Sequence, residues 1–206
     1  MEGKNKIKWI YSSKNNHELL ERYDQWAKEY DTDLEQKEEY QGTKITADLF
    51  TKYVPRVSRI LDVGAGTGLM GKLLSILGYE NLVAMDLSKG MLDVARQKGV
   101  YRALDQMVLG ETLDYATDSF DAVISTGVFI TAHAPASAFD EIVRIVRPDG
   151  YIIFTLSEDS YENAGFKEKF DALESDGKWK LVEKGDRLKL TTSSSYYHKV
   201  WVFQVC

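Results

Sequence analysis

Cysteine is almost missing: the 206 residues contain one, Cys206. A single thiol rules out an intramolecular disulfide and a cysteine-built zinc cluster. It fits a reducing compartment, so a cytoplasmic location is expected. Histidine is nearly as scarce. His17, His133 and His198 lie too far apart for metal-ligand spacing, and no metal is expected. Long apolar runs are also missing. The stretch YIIFTL falls far short of the roughly 20 residues that a membrane span needs. The N-terminal segment, basic at first, lacks the unbroken apolar stretch of a secretory signal. Neither a membrane nor a leader is expected. Positive charge is in deficit, with a formal net charge of −6, which disfavours nucleic acid because affinity there comes largely from neutralising phosphates. The exception is local. Lys178, Lys180, Lys184, Arg187, Lys189 and Lys199 face only Glu183 and Asp186, and the plain reading is the solvated faces of a terminal hairpin.

What is present describes one globular domain, with 44% hydrophobic and 28% charged residues. Residues 16–53 read as helical. Leu19, Leu20, Tyr23, Trp26, Ala27 and Tyr30 recur at three- and four-residue steps and give one apolar face, and Pro55 closes the segment. The texture then changes to short apolar runs alternating with helical ones: SRILDVGAG, LMGKLLSILG, NLVAMDLS and KGMLDVARQKG. Ser88 is placed to cap the last of these and Gly99 to stop it. A weaker strand, VYRALDQMVL, follows, then the strand FDAVIST and a helix over 136–146 with Pro135 at its start. DGYIIFTLS is a strand after the RPDG turn. This alternation implies a parallel sheet with right-handed crossovers. The tail departs from it: YENAGFKEKFDALESDG looks helical, and residues 178–206 hold two strand-like runs that suggest a hairpin.

The glycine loop ILDVGAGTGLM could hold a phosphate or something else. A dinucleotide fingerprint needs G-x-G-x-x-G, with pyrophosphate at the helix N-terminus. Here glycines stand at 64, 66 and 68, and position 69 is Leu. No Gly-Lys-Ser/Thr follows, which excludes a P-loop. Asp62, at the carboxyl end of the strand, would repel a pyrophosphate but suit a ligand carrying positive charge. Asp86 ends the second strand, where a carboxylate can accept both hydroxyls of a ribose; that feature alone would serve a nicotinamide cofactor equally well.

LDVGAGTG, AMDLSKGML, LGETLDYATDSFDAVIS and FDEIVRIVRPDGYIIFT, in this order, resemble the motifs of class I S-adenosylmethionine-dependent methyltransferases. The resemblance covers roughly residues 55–157. With YDQWAKEYD and LGETL included, the chain is similar in particular to the methyltransferase-like proteins of the Williams–Beuren syndrome region group. The resemblance implies a Rossmann-like three-layer α/β sandwich whose seven-stranded, mostly parallel sheet runs 3-2-1-4-5-7-6, with an antiparallel last strand. It implies S-adenosyl-L-methionine as cofactor. Carried over by position, Asp62 and Gly64 would sit near the methionine amino group, and Ala65, Gly66 and Gly68 would line the nucleoside turn. Asp86 would hold the ribose, and Leu87 and Met91 would pack on the adenine. Gly110 and Glu111 would meet the adenine edge, although Leu109 stands where many relatives carry Asp. Thr126 would border the methionine end, and Tyr30 would close the site from the N-terminal helices or simply pack in the core.

Methyl transfer from a sulfonium mainly requires alignment and exclusion of water. A base is needed only for a protonated nucleophile. His133 is a candidate, or else a solvated loop histidine, and the catalytic group is unassigned. STGVFI replaces the Asn/Asp-Pro-Pro-Tyr/Phe signature of amino-group DNA and glutamine methyltransferases. The expected acceptor is a small molecule or a protein, and the expected state a monomer or weak dimer. The expected layout is one domain, with 1–54 a helical lid, 55–157 the cofactor-binding core and 158–206 a helix and hairpin. A cofactor-binding protein without transfer activity is the alternative; a nicotinamide reductase is disfavoured by the glycine spacing.

Overall fold

Described here is a computed structural model covering residues 3–37, 41–130, 133–191 and 196–206, with side chains for all of these but 3–5 and 35–37. Its chain order starts with three helices, α1 (Gly3–Tyr11), α2 (Asn16–Lys37) and α3 (Gly42–Tyr53). Then come β1 (Ile60–Val63), α4 (Leu69–Ile76), β2 (Leu82–Asp86), α5 (Lys89–Gln97), β3 (Ala103–Gln106), β4 (Phe120–Phe129), α6 (Ala138–Ile145) and β5 (Val146–Ser157). The chain closes with α7 (Glu158–Asn163), α8 (Phe166–Ser175), β6 (Trp179–Lys184) and β7 (His198–Val205). The strands form one sheet in the order β3-β2-β1-β4-β5-β7-β6. The pairs from β3 through β5 are parallel, and β7 is antiparallel to both neighbours. This is the Rossmann-like sandwich that the alternating strands and helices imply.

Strand alternation divides the core into two layers. Leu61, Val63, Val123, Ile152, Phe154 and Phe203 face α6 and α8, whereas Ile60, Ala122, Ile124, Ile153, Val200 and Val202 face α3 and α4. Successive strand residues point to opposite faces, so a sheet covered on both sides needs apolar residues in unbroken runs, as here. The first layer is dominated by aromatics. Trp179 stacks on Phe203 with centroids 3.9 Å apart, and Phe170 meets Trp179, Phe203 and Phe139 edge-on at 5.2–5.3 Å.

Local signals act where they were expected, with three differences. Ser88 caps α5 by accepting from Met91 N at 3.0 Å, and Gly99 follows that helix with φ +67°. Unanticipated is α1, whose residues GKNKIKWIY carry few apolar side chains. It forms because Ile7 and Ile10 pack against Leu19 and Trp26 of α2, so tertiary burial and not propensity supports it. The tail helix is two helices, since Gly165 takes a left-handed conformation (φ +76°) ahead of α8. β5 begins at Val146, before the RPDG turn, which appears as a register shift between Phe120↔Val146 and Ala122↔Tyr151.

Helices α1 and α2 belong to neither layer. They cover the carboxyl ends of β1, β2 and β4, where open α/β sheets bind ligands. Among the described residues no helix is long and apolar enough to cross a membrane.

Candidate active site

β1 and β2 end side by side, pairing in parallel up to Val63↔Met85, so the glycine turn and Asp86 emerge together. The turn needs its glycines. Gly64 has φ +67°, and a Cβ there would lie 2.2 Å from Val128 Cγ2. Gly66 has φ +55° and opens onto free space, so backbone can approach a ligand where a side chain would intrude. Its N–H donates to Asp86 Oδ2 at 2.8 Å, and Ser88 N–H donates to Asp86 Oδ1 at 2.8 Å. Burial raises the Asp86 carboxyl to about 6, opposed by the N–H groups of Ser88, Gly66 and Leu87. A carboxylate offers about four acceptor sites, so these bonds fix its orientation and leave capacity for a hydroxyl.

Asp62 is more enclosed. Tyr101 donates its hydroxyl to Asp62 Oδ2 at 2.5 Å and itself accepts from Gly71 N at 3.1 Å. Burial drives this carboxyl up to about 7 against the Tyr101 bond, and nearby Asp86 adds to the rise. Two buried carboxyls side by side without a cation are unfavourable as a pair of anions. A positively charged ligand beside Asp62 would favour its ionised form.

A cleft with about 690 Å³ of empty space, partly open to solvent, runs from this turn beneath α2. Of the sequence-derived residues, Tyr30, Gly64, Gly66, Asp86, Leu87, Met91 and Thr126 line it. Asp62 and Ala65 line a side cavity of about 380 Å³ that shares Tyr30, Gly64, Gly66 and Thr126 with the cleft. Thr126 Oγ1 is buried without a hydrogen-bond partner among the described residues. Gly68, Gly110 and Glu111 line neither space. Gly68 precedes α4 with φ +85°, Gly110 abuts Pro135, and Glu111 is exposed. Met107, Val108 and Leu109 face the cleft instead, because the chain leaves β3 along the cleft wall before it turns at Gly110. His133 also lines the cleft, and its Nε2 lies 3.0 Å from the Tyr23 hydroxyl.

The fastening of α2 was not anticipated. Asp24 accepts from Ser88 Oγ at 2.5 Å and from Gly90 N at 2.8 Å. Asp31 pairs with Lys98 Nζ at 2.6 Å and accepts from the Thr67 hydroxyl, while Lys98 also donates to Thr67 O at 2.6 Å. The two acids stand seven residues apart, two helical turns, on one face. That spacing is the signal that could have revealed them.

An open parallel sheet with a glycine turn after β1 and a buried carboxylate ending β2 defines a nucleoside-binding α/β protein. Comparison makes this specific. Residues 61–154 match the methyltransferase domain family. Methyltransferase-like protein 27 of Homo sapiens is 32% identical over 190 residues, 88% of this chain and 76% of that protein. A malonyl-[acyl-carrier protein] O-methyltransferase of Legionella pneumophila is 30% identical over 152 residues, 71% of this chain and 52% of the enzyme; the chain thus spans about half of that relative. The fold is shared with solved structures of an S-adenosylmethionine-dependent methyltransferase from Methanosarcina mazei and a TehB-like one from Corynebacterium glutamicum. Both have a TM-score of 0.63; identities are 14% and 22%, covering 76% and 89% of this chain and 96% and 98% of theirs. The chain belongs to the class I S-adenosylmethionine-dependent methyltransferases. Its cofactor is S-adenosylmethionine, and its second substrate is a methyl acceptor.

Proposed function

We propose that the cleft beneath α2 seats the nucleoside of S-adenosylmethionine, that the side cavity takes its methionine end, and that the acceptor is a small molecule. In this reading Asp86 accepts from the ribose hydroxyls, and Gly64, Ala65, Gly66 and Gly68 shape the turn around the nucleoside. Leu87 and Met91 pack on the adenine. Asp62 holds the ammonium at short range, and Thr126 borders the methionine end. Gly110 and Glu111 act only by turning the chain, so that the 107–109 backbone meets the adenine edge. Of residues 1–54, α1 and α2 form a cover that closes over the cofactor through Tyr30, whereas α3 stays packed in the core layer; the protein works in the cytoplasm as a monomer or weak dimer. When bound, the cofactor supplies an electrophilic methyl group on a sulfonium. The chain's own task is to bind, align and keep water out.

The carrying observation is the buried Asp86 carboxylate, oriented by the Gly66 and Ser88 N–H groups yet with acceptor capacity to spare. Calorimetric titration with S-adenosylhomocysteine, wild type against Asp86→Ala, tests it. Charge-assisted hydrogen bonds are worth roughly 1.5–3 kcal/mol each, so at least about a tenfold loss of affinity is expected. An unchanged dissociation constant, or tighter binding of NADH, contradicts the assignment.

A further inference from the structure

A second cavity, with about 540 Å³ of empty space, lies under the N-terminal helices next to the cofactor cleft and shares Tyr23, Tyr30 and Gly127 with it. Ile10, Tyr11, Trp26, Leu34 and Leu190 supply much of its wall, and no Lys, Arg, Asp or Glu side chain lines it among the described residues. A charged guest would therefore lose its hydration without gaining a counter-ion. Trp26 and Tyr30 meet edge-on at 4.7 Å, and their faces suit a flat, apolar guest.

One polar group in this wall stands out. His198 is 1% exposed, and among the described residues neither ring nitrogen has a hydrogen-bond partner. It begins β7 opposite Ser157, the last residue of β5, which places it at the carboxyl end of the parallel strands, the end on which the cofactor cleft also lies. His133, by contrast, already engages the Tyr23 hydroxyl. Burial holds the His198 imidazole down to about 4, against the pull of Glu158. At neutral pH the ring is therefore uncharged, with one nitrogen a donor and the other an acceptor. Buried polar groups are nearly always hydrogen-bonded, and each left unpaired is costly. A histidine with two unmet nitrogens in the wall of an apolar cavity has the character of a recognition group.

We infer that this cavity is the acceptor pocket, and that it takes a neutral, mainly apolar ring compound whose single hydroxyl hydrogen-bonds to His198. The inference rests on the cofactor assignment above, since the pocket has meaning as an acceptor site only beside that cleft.

The test uses the full chain saturated with S-adenosylhomocysteine and three probes: naphthol, naphthalene, which lacks the hydroxyl, and naphthoate, which carries charge. Quenching of tryptophan fluorescence reports binding, because Trp26 lines the cavity. Naphthol is expected to bind about tenfold or more tighter than naphthalene, the scale of one well-made hydrogen bond to a buried partner, and naphthoate weaker than either. His198→Phe should abolish the preference for naphthol while leaving S-adenosylhomocysteine affinity unchanged, and His198→Gln should restore part of it. Equal binding of naphthol and naphthalene by the wild type, no binding of either, or an unaltered preference in His198→Phe each overturns the inference. Should His198→Phe fail to fold, the wild-type comparison and His198→Gln still decide. Failure of S-adenosylhomocysteine itself to bind would strike the cofactor assignment instead, and calorimetry reads that separately.

Discussion

Helices α8 and α2 are fastened to the same sheet by different means. α8 sets Phe166, Phe170 and Leu173 into a continuous aromatic layer with Phe139, Trp179 and Phe203. α2 turns its apolar face mainly to α1 and Leu87. Its links to the cofactor-binding fold are polar: Asp24 at the start of α5, Asp31 at Thr67 and Lys98, and the Tyr23 hydroxyl at His133. Apolar interdigitation is lost only as a unit, whereas partly exposed polar links can break and re-form against water at small net cost. The comparison teaches that the sheet and its aromatic layer are the rigid scaffold. It supports the proposal that α1 and α2 are an attached cover, suited to admitting a cofactor and acceptor and then excluding water.

Phe170→Ala breaks the scaffold side and has the largest expected effect. It removes a ring set among Phe139, Phe154, Trp179, Trp201 and Phe203, and such truncations cost about 3–5 kcal/mol. Denaturant unfolding should show that loss across the whole transition. A loss below about 1 kcal/mol would mean that the aromatic layer is loosely packed.

Proton linkage sharpens the cleft side. Asp62 is raised to about 7 in the folded chain, against about 3.9 for an unperturbed aspartate. Between those values the folded state holds more protons than the unfolded one, so stability of the ligand-free protein falls as pH rises from about 4 through 7. A bound ammonium favours the carboxylate. S-adenosylhomocysteine affinity should therefore weaken below pH 7, by at most about tenfold per pH unit for this one proton. Asp62→Asn should remove the part of the slope near pH 7 and leave only that of Asp86 near 6. Calorimetry over pH 5.5 to 8, values chosen to span about one unit or more on either side of that pKa, reads it; a flat profile in the wild type contradicts the pairing of Asp62 with a cation.

The smallest expected effect belongs to the cover. Asp31→Asn removes an ion pair whose side chains are 14% and 29% exposed, worth about 1 kcal/mol or less to stability. Melting should shift by only a few degrees, while S-adenosylhomocysteine affinity drops by about the same free energy. A large loss of stability would make α2 part of the scaffold.

The sequence reading reached the scaffold because its signals are local. The runs ILDV, LVAMD and FDAVIST are short and apolar between breakers, Ser88 is a capping residue in a capping place, and the glycine spacing with Asp86 fixes one crevice. The rest depends on distant partners. α1 is polar enough to pass for a loop until α2 is beside it. The cleft-facing 107–109 segment follows β3 as an irregular stretch with no helical or strand periodicity to mark it. Asp24 and Asp31 look like ordinary surface acids unless the face they share is set against α5. His198 shares a strand face with Val200 and Val202, but the run VWVF is buried on both faces, so alternation alone does not mark it. Its missing hydrogen bonds become visible only once its neighbours are in place.

Hydrogen exchange with and without S-adenosylhomocysteine tests the central claim most directly, that α2 is a cover over a cofactor cleft built on a rigid sheet. Amides of 16–34 and of the glycine turn should gain protection on binding, while those of β7 stay equally protected in both states. Equal protection of α2 in both states would make it fixed core, and Tyr30 and Trp26 would then be packing residues alone.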